Sequence, residues 1–364
     1  MPVKRPNIIL IVLDCLRPDH LSCYGYHKLT SPNIDSFAEE CVLFKSAFSA
    51  SPSTVGSIPS ILSGLYPSFH GTGVDGNTLT LSSEIPTLAD VLKQEGYTTV
   101  GFNTNPYMVG KHGYDKGYGS YYDLFPSQRR NGLLNKAKLF LGGLNRKKFT
   151  QTSEPCICSK GVNERVSKYL KHIEQKPFFI WLHYMDTHAP YLPREPYFSN
   201  YSDAESKKQA VTFKNQLNHI YGRLYKDQNS ITQEERKFIV NCYDSEIRYF
   251  DENLKKLLRL LRKLYLLDNT VIILTSDHGE EFWEHGKWGH YMRFYDTNIR
   301  VPLLIRFPHL AKARKTVSTP VRNIDIFPTI LDMLNINHAF HLSGLSLLSY
   351  IKHEKSFPEA TVFS

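Results

Sequence analysis

Continuous apolar runs alternate with helical patterns along this chain. Unbroken apolar runs between turn residues are typical of strands that are buried on both faces of a sheet. The predicted strands are Ile8–Leu13, Thr98–Phe102, Phe178–His183, Thr270–Thr275 and Val301–Phe307. The predicted helices are Pro86–Gln94, Gly161–Glu174, Gln233–Leu261 and Ile326–Leu334. This order predicts an α/β fold with a mainly parallel central sheet and helices on both of its faces.

Two stretches do not follow this alternation. One covers residues 128–160, and the other covers residues 191–230, which are rich in Tyr, Asn, Ser and Lys. We interpret both as insertions at an edge of the sheet, where loops carry specificity. The chain shows no internal repeat and no low-complexity tract.

Composition and charge narrow the function classes. Of the 364 residues, 41% are hydrophobic and 22% are charged, as in ordinary globular proteins that bury a large core. The formal net charge is +9, which favours anionic partners. No basic motif with interleaved aromatic residues is visible, so we do not expect nucleic acid to be bound.

Much of the positive charge lies in one segment. Residues 128–149 contain seven basic residues, no acidic residue and several leucines. This composition fits a basic amphipathic helix on an anionic lipid surface or over a charged substrate. The alternative is a solvated insertion or a lid, because Gly142 and Gly143 interrupt the apolar pattern.

The N-terminal segment and the cysteines indicate the cellular compartment of the chain. The first apolar run is too short to span a membrane and is not followed by a small-residue cleavage site, so it reads as a strand and not as a signal peptide. Six cysteines are scattered without zinc-finger spacing. We therefore expect a cytoplasmic chain with free thiols, and its oligomeric state is left open.

Polar side chains follow two predicted strands directly. Asp14 ends the first strand, where an acidic side chain is well placed either to bind a metal or to cap the next turn. Asp277 and His278 follow the strand Thr270–Thr275, and Gly279 allows a tight turn beneath them. Reactive groups of open α/β sheets gather at the carboxyl ends of strands, so both positions are candidate metal ligands.

A cluster of histidines follows Asp277. His278, His285 and His290 lie within thirteen residues and are separated by glycines. Three histidines in such a short polar stretch favour a functional site over core packing. Asp186 and His188 similarly follow the strand Phe178–His183, where they either bind a second metal or an anionic group, or cap the local backbone.

A hydroxyl-rich loop precedes a short helical pattern at residues 51–64. A hydroxyl at the start of a helix lies beside free backbone N–H groups that bind oxyanions. The alternative is a serine-rich loop that caps its own backbone.

Six motifs in this chain together resemble the sulfatase family of the alkaline phosphatase superfamily. They are, in order, NIILIVLDCLRPDH from Asn7, SGLYPSFHG from Ser63, HYMDTHAPY from His183, SDHGEE from Ser276, RVP from Arg300 and DIFPT from Asp325. The resemblance covers residue 6 to about residue 346. It implies a three-layer α/β/α sandwich, with a catalytic domain over 1–335 and a reduced C-terminal subdomain over 336–364.

The resemblance also implies the roles of individual residues. A divalent metal, which is Mn²⁺, Zn²⁺, Mg²⁺ or Ca²⁺, is expected at Asp14, Thr54, Asp277 and His278. Thr54, ten residues before Gly64, is the expected nucleophile, and His188 and His290 are expected to contact the ester oxygens or to donate a proton. His290 occupies the position where many sulfatases have a lysine. Further candidate ligands of a second metal or of substrate are Cys15, Asp186 and His285.

The chain departs from the sulfatase pattern at the nucleophile. Formylglycine sulfatases have Cys or Ser there, with Pro two and Arg four residues later, whereas this chain has Thr54, Gly56 and Ile58. Threonine is a secondary alcohol and cannot form the formylglycine aldehyde, so no formylglycine is expected. A metal at Thr54 would instead activate its hydroxyl for direct attack on sulfur or phosphorus, with backbone N–H groups near Val55 and Gly56 facing the ester oxygens.

Two further departures bear on the metal and on the function class. Cys15 replaces the second acidic ligand of sulfatases, and Gly101–Asn105 replaces their lysine–histidine motif. The main hypothesis is a hydrolase of sulfate, phosphate or phosphonate esters, including phosphodiesters. The alternatives are a phosphoethanolamine-type transferase and a catalytically inactive protein that binds an anionic glycan or lipid head group.

Overall fold

The computed structural model describes residues 5–74, 78–125, 158–173, 177–192, 194–202, 220–290, 292–308 and 315–352. The basic segment 128–149 lies outside these residues, so its contact with an anionic lipid surface stays a prediction. None of the helices in the described ranges combines the length and the apolar character that crossing a bilayer requires.

Most strands belong to one sheet. In chain order the strands are β1 (Asn7–Leu13), β2 (Val42–Phe48), β3 (Thr98–Asn103), β4 (Ser120–Asp123), β5 (Phe178–Tyr184), β6 (Thr270–Ser276), β7 (Glu281–Phe282), β8 (Trp288–Gly289), β9 (Arg300–Arg306), β10 (Lys315–Val317) and β11 (Val321–Arg322). The main sheet has the order β10-β2-β9-β6-β1-β5-β3-β4, with β11 also paired to β2, while β7 and β8 form a separate pair. Among its described strands, β9 alone runs antiparallel to its neighbours.

Helices cover both faces of the sheet. They are α1 (Pro32–Ala38), α2 (Thr54–Ser63), α3 (Pro67–His70), α4 (Leu88–Gln94), α5 (Ser159–Leu170), α6 (Gln233–Lys263), α7 (Asp296–Ile299), α8 (Ile326–Met333) and α9 (Leu348–Lys352). Alternate residues of β1 point to opposite faces. Ile9 and Ile11 join a core beneath α1, α5 and α6, whereas Ile8 and Leu10 join a core beneath α2, α4, α8 and α9. The prediction of a three-layer α/β/α sandwich is therefore confirmed.

The five predicted strands and four predicted helices all form. Their ends lie within two residues of the predicted ones, except that the helix predicted to reach Glu174 ends at Leu170. The pattern does not predict β2, although this strand lies inside the sheet. Its pairing with β9 shifts register between Phe44 and Ala47, and Lys45 in this bulge is exposed. The bulge breaks the period of two by which a strand is recognised in a sequence.

The long helix α6 supports one face of the sheet and begins at a capping box. The Thr232 hydroxyl accepts a hydrogen bond from the Glu235 amide, and the Glu235 carboxylate accepts one from the Thr232 amide. These bonds satisfy two backbone donors that a helix start leaves free. The helix ends with Arg262 and Lys263, whose charges complement the negative end of the helix dipole.

Residues after α8 pack back onto that helix. The Leu345 amide donates to Asp325 Oδ1 and the Leu347 amide donates to Thr329 Oγ1, both at 2.8 Å. Leu347 and Leu348 are buried in the same core as α8. This segment opens the predicted 336–364 subdomain, whose boundary stays a prediction.

We expect the substitution Thr232→Ala to lower the free energy of unfolding by about 0.5–2 kcal/mol, because it removes the cap of α6. Denaturant unfolding measured by circular dichroism tests this. Thr316→Ala, an exposed residue of β10 outside any cap, is the matched control and should change stability by no more than about 0.5 kcal/mol. Equal effects of the two substitutions would contradict the capping argument.

Candidate active site

The register of the central strands brings the predicted site residues together. Strand β1 pairs in parallel with both β5 and β6, and Leu13 lies opposite Tyr184 and Ser276. The residues that follow, Asp14 and Asp277, therefore leave the sheet at the same level. Both are fully buried, so their carboxyl groups meet away from bulk water.

Thr54 is the first residue of α2 and faces these carboxyl groups. Its Oγ1 lies 3.2 Å from His278 Nε2 and 3.4 Å from Asp14 Oδ2. The preceding Ser53 has the extended backbone of an N-cap residue. The Gly56 amide already donates to Ser53 O at 3.2 Å, so of the two expected amides only that of Val55 remains for an oxyanion.

The start of α2 is tied to the end of β6 by a buried polar network. The Ser57 hydroxyl donates to the backbone carbonyl of Asp277 at 2.5 Å and accepts a hydrogen bond from Asn323 Nδ2 at 3.0 Å. Asn323 also donates to the Ser49 hydroxyl. This network fixes the distance between the Thr54 hydroxyl and the carboxyl groups.

Close packing against α7 leaves no room for a side chain at Gly279. A Cβ on this residue would lie 2.0 Å from Thr297 O, and the Gly279 amide donates to Asn298 O at 2.7 Å. The close approach of α7, and not a tight turn alone, therefore excludes larger side chains next to His278.

The hydrogen bonds of His278 fix its tautomer. Its Nδ1 lies 2.8 Å from Gly279 O, which can only accept, so Nδ1 carries the proton. Burial lowers the pKa of His278 to about 4, and His290 adds to this effect. The ring is therefore neutral, and its Nε2 directs a free lone pair at Thr54 and Asp14, as metal ligation requires.

Asp14 lies among polar groups from several strand ends. Its Oδ2 accepts a hydrogen bond from Asn105 Nδ2 at 3.0 Å and lies 3.7 Å from His183 Nε2. Burial raises the pKa of the Asp14 carboxyl, but the surrounding histidines, with His188 and His278 foremost, outweigh burial and hold it below the usual range. Asp14 is therefore ionised at neutral pH.

Asp277 completes a donor group that fits a divalent cation. Ligand atoms of Asp14, Asp277 and His278 lie within 4.8 Å of one another. Asp277 Oδ2 is buried without a hydrogen-bond partner, although Oδ1 accepts from the Cys15 amide at 3.2 Å. Burial and the nearby Asp14 raise the pKa of Asp277 well above its usual range. A cation between these groups would give Asp277 Oδ2 a partner and would offset the repulsion between the two carboxylates.

Cys15 lies at the edge of the same group. Its Sγ is 3.1 Å from Asp14 Oδ1 and 3.6 Å from His290 Nδ1. The residue has a φ of 62°, in the left-handed region that non-glycine residues rarely adopt. Burial, with Asp14 and other carboxylates, raises the pKa of its thiol well above the usual range.

His290 forms a charged pair with Glu280. Its Nδ1 lies 3.1 Å from Glu280 Oε1, and Glu280 Oε2 accepts a hydrogen bond from the Tyr191 hydroxyl at 2.7 Å. Burial lowers the pKa of His290, but Glu280, Asp14 and Asp277 outweigh burial and raise it to about 9. His290 is therefore a cation at neutral pH.

His188 lies next to His290 with a ring-centroid separation of 5.3 Å. Its Nδ1 is 2.6 Å from Ala189 O, which can only accept, so Nδ1 carries a hydrogen. His290 thus carries a proton to donate, whereas the Nδ1–H of His188 is already bonded to Ala189 O.

Two candidate ligands lie apart from this group. Both oxygens of Asp186 accept the Ser159 amide, at 3.1 and 3.0 Å, and Oδ1 also accepts the Ser159 hydroxyl, so this carboxylate caps the start of α5. His285 lies 3.4 Å from Glu281 and stacks on Tyr295 with ring centroids 3.6 Å apart. Neither belongs to a metal-ligand group among the described residues. The capping alternative therefore describes Asp186 better than the metal expectation.

Several contributors to the site were not singled out from the sequence as site residues. They are Asn105, His183, Thr187, Tyr191 and Glu280. Thr187 donates to Asp14 O at 2.6 Å, and His183 and Asn105 reach Asp14 Oδ2 from β5 and from the loop after β3. Asn105, His183 and Thr187 could have been found from their positions in the sequence, because each one lies at the end of a strand of the parallel sheet or shortly after it.

The chain is similar to known proteins in sequence and in structure. Residues 6–336 match the family model described as Sulfatase. The N-acetylglucosamine-6-O-sulfatase of Bacteroides thetaiotaomicron is 25% identical over 98% of this chain and 72% of its own length. The choline-sulfatase of Rhizobium meliloti is 26% identical over 93% of this chain and 69% of its own length. The phosphonate monoester hydrolase of Agrobacterium radiobacter has a similar structure, with a TM-score of 0.76 at 22% identity over 97% of this chain and 78% of that one.

The placement of Asp186 leads to a prediction. We expect Asp186→Ala to lower the free energy of unfolding by about 1–3 kcal/mol, since it leaves the buried Ser159 groups without an acceptor, and to leave the bound metal unchanged. Asp14→Asn should instead remove most of the metal. Mass spectrometric metal analysis and denaturant unfolding of both variants test this. Loss of metal in a folded Asp186→Ala protein would restore Asp186 as a ligand.

Proposed function

The chain belongs to the sulfatase family of ester hydrolases, and from this premise we propose that it cleaves a sulfate or phosphorus ester through Thr54 with the help of a divalent metal. The observation that carries the proposal is the position of the Thr54 hydroxyl. It lies at the start of α2, within 3.4 Å of both Asp14 Oδ2 and His278 Nε2. A hydroxyl there can attack an ester that is bound above the ends of β1 and β6.

The residues that would hold the metal are Asp14, Asp277, His278 and Thr54. Supporting this are the unpartnered Asp277 Oδ2, the ionised Asp14 and the free Nε2 lone pair of His278. When bound, a divalent cation supplies positive charge that lowers the pKa of the Thr54 hydroxyl and stabilises negative charge on the ester oxygens. Oxygen and nitrogen donors of this kind suit Mn²⁺, Zn²⁺, Mg²⁺ or Ca²⁺.

In the first step, Thr54 Oγ1 bonds to sulfur or phosphorus and the bond to the leaving oxygen breaks. The Thr54 proton leaves to a water molecule, because the Nε2 lone pair of His278 beside the hydroxyl would be taken up by the cation. The Val55 amide at the start of α2 would stabilise the ester oxygens. His290 carries the proton that the leaving alcohol needs, because its pKa is raised to about 9.

In the second step, water attacks the sulfur or phosphorus of the Thr54 ester. One water proton goes to Thr54 Oγ1 and the other goes to His290, which gave its own proton to the leaving alcohol, so the free enzyme is restored. An acceptor alcohol in place of water would make the enzyme a transferase. The buried surroundings of Thr54, which is 7% exposed, limit access of water until the leaving alcohol has departed.

Both sulfate esters and phosphorus esters are candidate substrates. The named relatives that this chain resembles include sulfatases and a phosphonate monoester hydrolase. A threonine cannot supply the aldehyde hydrate that formylglycine sulfatases use, which favours direct attack by a metal-activated alcohol. Phosphorus esters are suited to this route, and we therefore include them with sulfate esters.

We expect Thr54→Ala to lower kcat/KM by at least about a thousandfold, since the nucleophile is lost, while the fold is kept. The assay uses the metal-loaded protein with an aryl sulfate, a phosphate monoester, a phosphodiester and a phosphonate monoester. Ser53→Ala, which removes a neighbouring hydroxyl outside the donor group, is the matched control and should stay within about threefold of wild type. Undiminished turnover by Thr54→Ala would remove Thr54 from the mechanism, and inactivity of the wild type on all four esters would favour the binding-protein alternative.

A second prediction concerns pH. Because Glu280 raises the pKa of His290 to about 9, the charged imidazolium is present below that pH and is lost as the pH rises through it. We expect the rate of ester cleavage to fall above about pH 9 in the wild type and at lower pH in Glu280→Gln, which removes the negative charge. The pH profile of kcat/KM tests this. An unchanged alkaline limb in Glu280→Gln would show that His290 does not control it.

A further inference from the structure

We propose that a groove at the β4 end of the main sheet, between this strand and α5, binds a nucleoside diphosphate or triphosphate. The groove has a volume of about 550 Å³, which is in the range of small-molecule sites. Its lining includes three aromatic residues and three nitrogen-bearing ones, which are Phe102, Tyr122, Tyr169, Arg165, Lys168 and His172. None of them belongs to the proposed cation site, so the inference does not rest on the proposed cleavage.

The aromatic residues of the groove form a stacking surface. The rings of Phe102 and Tyr122, on the neighbouring strands β3 and β4, stack with centroids 5.0 Å apart and an interplanar angle of 20°. Tyr169 of α5 meets both rings edge-on, with its centroid 6.1 Å from that of Phe102 and 6.5 Å from that of Tyr122. Phe102 is buried and covers one face of the Tyr122 ring, whereas Tyr122 is 40% exposed, so its other face is open to a flat ring. A nucleobase would extend this stack by one layer.

The positive charges of the groove come from α5. Arg165 and Lys168 are three residues apart in this helix, so successive turns place them side by side, and His172 follows the end of the helix. Arg165 Nη1 donates to the backbone carbonyl of Gly161 at 3.2 Å. Within the described parts of the chain, neither Arg165 nor Lys168 forms an ion pair. Two uncompensated cations about one helical turn apart match an anion that consists of two or three linked phosphates.

The composition of the groove distinguishes between anionic ligands. Sugar hydroxyls both donate and accept hydrogen bonds, which suits carboxylate and amide side chains, and the described lining of the groove contains neither type. Single-stranded nucleic acids are bound by a series of exposed aromatic faces, whereas Tyr122 offers one. The basic segment 128–149, which lies between β4 and α5 in the sequence, has the same sign of charge as the groove and is not its complement. These features favour a single flat base whose charge is concentrated in attached phosphates.

The test separates the contribution of the base from that of the phosphates. Isothermal titration calorimetry of the full chain uses ADP, adenosine and inorganic pyrophosphate as ligands, in EDTA so that no metal supports ester cleavage. We expect ADP to bind at least about tenfold more tightly than either fragment, because ADP alone contacts both the aromatic and the basic part of the groove.

Two groove variants assign the two contributions. Tyr122→Ala should weaken ADP binding about tenfold and leave pyrophosphate binding within about twofold of wild type, because it removes the stacking face and no charge. The double substitution Arg165→Ala with Lys168→Ala should weaken the binding of both ADP and pyrophosphate at least about tenfold, because it removes both cations. Circular dichroism shows that each variant is folded.

The matched controls are Tyr265→Ala, at an exposed tyrosine, and Lys256→Ala with Arg259→Ala, at two exposed basic residues three positions apart in α6. Both controls should stay within about twofold of wild type in ADP affinity.

A wild-type chain that binds ADP no more tightly than pyrophosphate would overturn the proposal, and this comparison needs no variant to fold. An ADP affinity that both groove variants retain would place the nucleotide elsewhere and would also overturn it. A heparin-derived oligosaccharide that loses affinity in the groove variants, in the absence of ADP binding, would assign the groove to a sulfated sugar chain instead. The affinities are measured without turnover, so they are independent of whether Thr54→Ala is active.

Discussion

The parallel pairing of β1 with β6 is the constraint on which the site depends. It places Leu13 opposite Ser276, so the chain delivers Asp14 and Asp277 side by side at the carboxyl edge of the sheet. Parallel pairing with β5 brings His183 to the same edge. A shift of one residue in either register would turn these side chains to the other face. The apolar residues of both cores hold the strands in this register. They therefore also fix where the polar side chains lie at the edge of the sheet.

The polar group that results carries charge that the protein alone does not balance. Carboxylates that follow β1 and β6 are buried among histidines, and the carboxylate of Glu280 holds His290 charged. Two neighbouring histidines, His183 and His278, have pKa values that burial lowers to about 4. Neutral imidazoles beside buried carboxyl groups are suited to bind cations. His183 and His278 therefore contact the carboxyl groups as neutral rings and do not form ion pairs with them.

Elements outside the sheet determine how precisely these groups meet. Ser57 and Asn323 fix the start of α2 against the end of β6, and Tyr243 of α6 holds the carbonyl of Cys15. Asp186 has a similar supporting task, because it caps α5. Helix α6, which spans 31 residues, thus links a core face of the sheet to the backbone beside Asp14. Substitutions in these supporting residues are expected to shift the positions of the site residues without removing a reacting group.

The sequence by itself determined the α/β/α layering, the buried strands and the family, because apolar runs and ordered motifs are local properties of the chain. It also singled out Asp14, Thr54, Asp277, His278, His188 and His290, which the tertiary structure brings to one edge of the sheet. Only the tertiary structure decided the task of Asp186, the partnership of Glu280 with His290, and the approach of Asn105 and His183 to Asp14. These depend on contacts between residues far apart in the chain, where local pattern carries no information about which hydrogen bond a carboxylate will make.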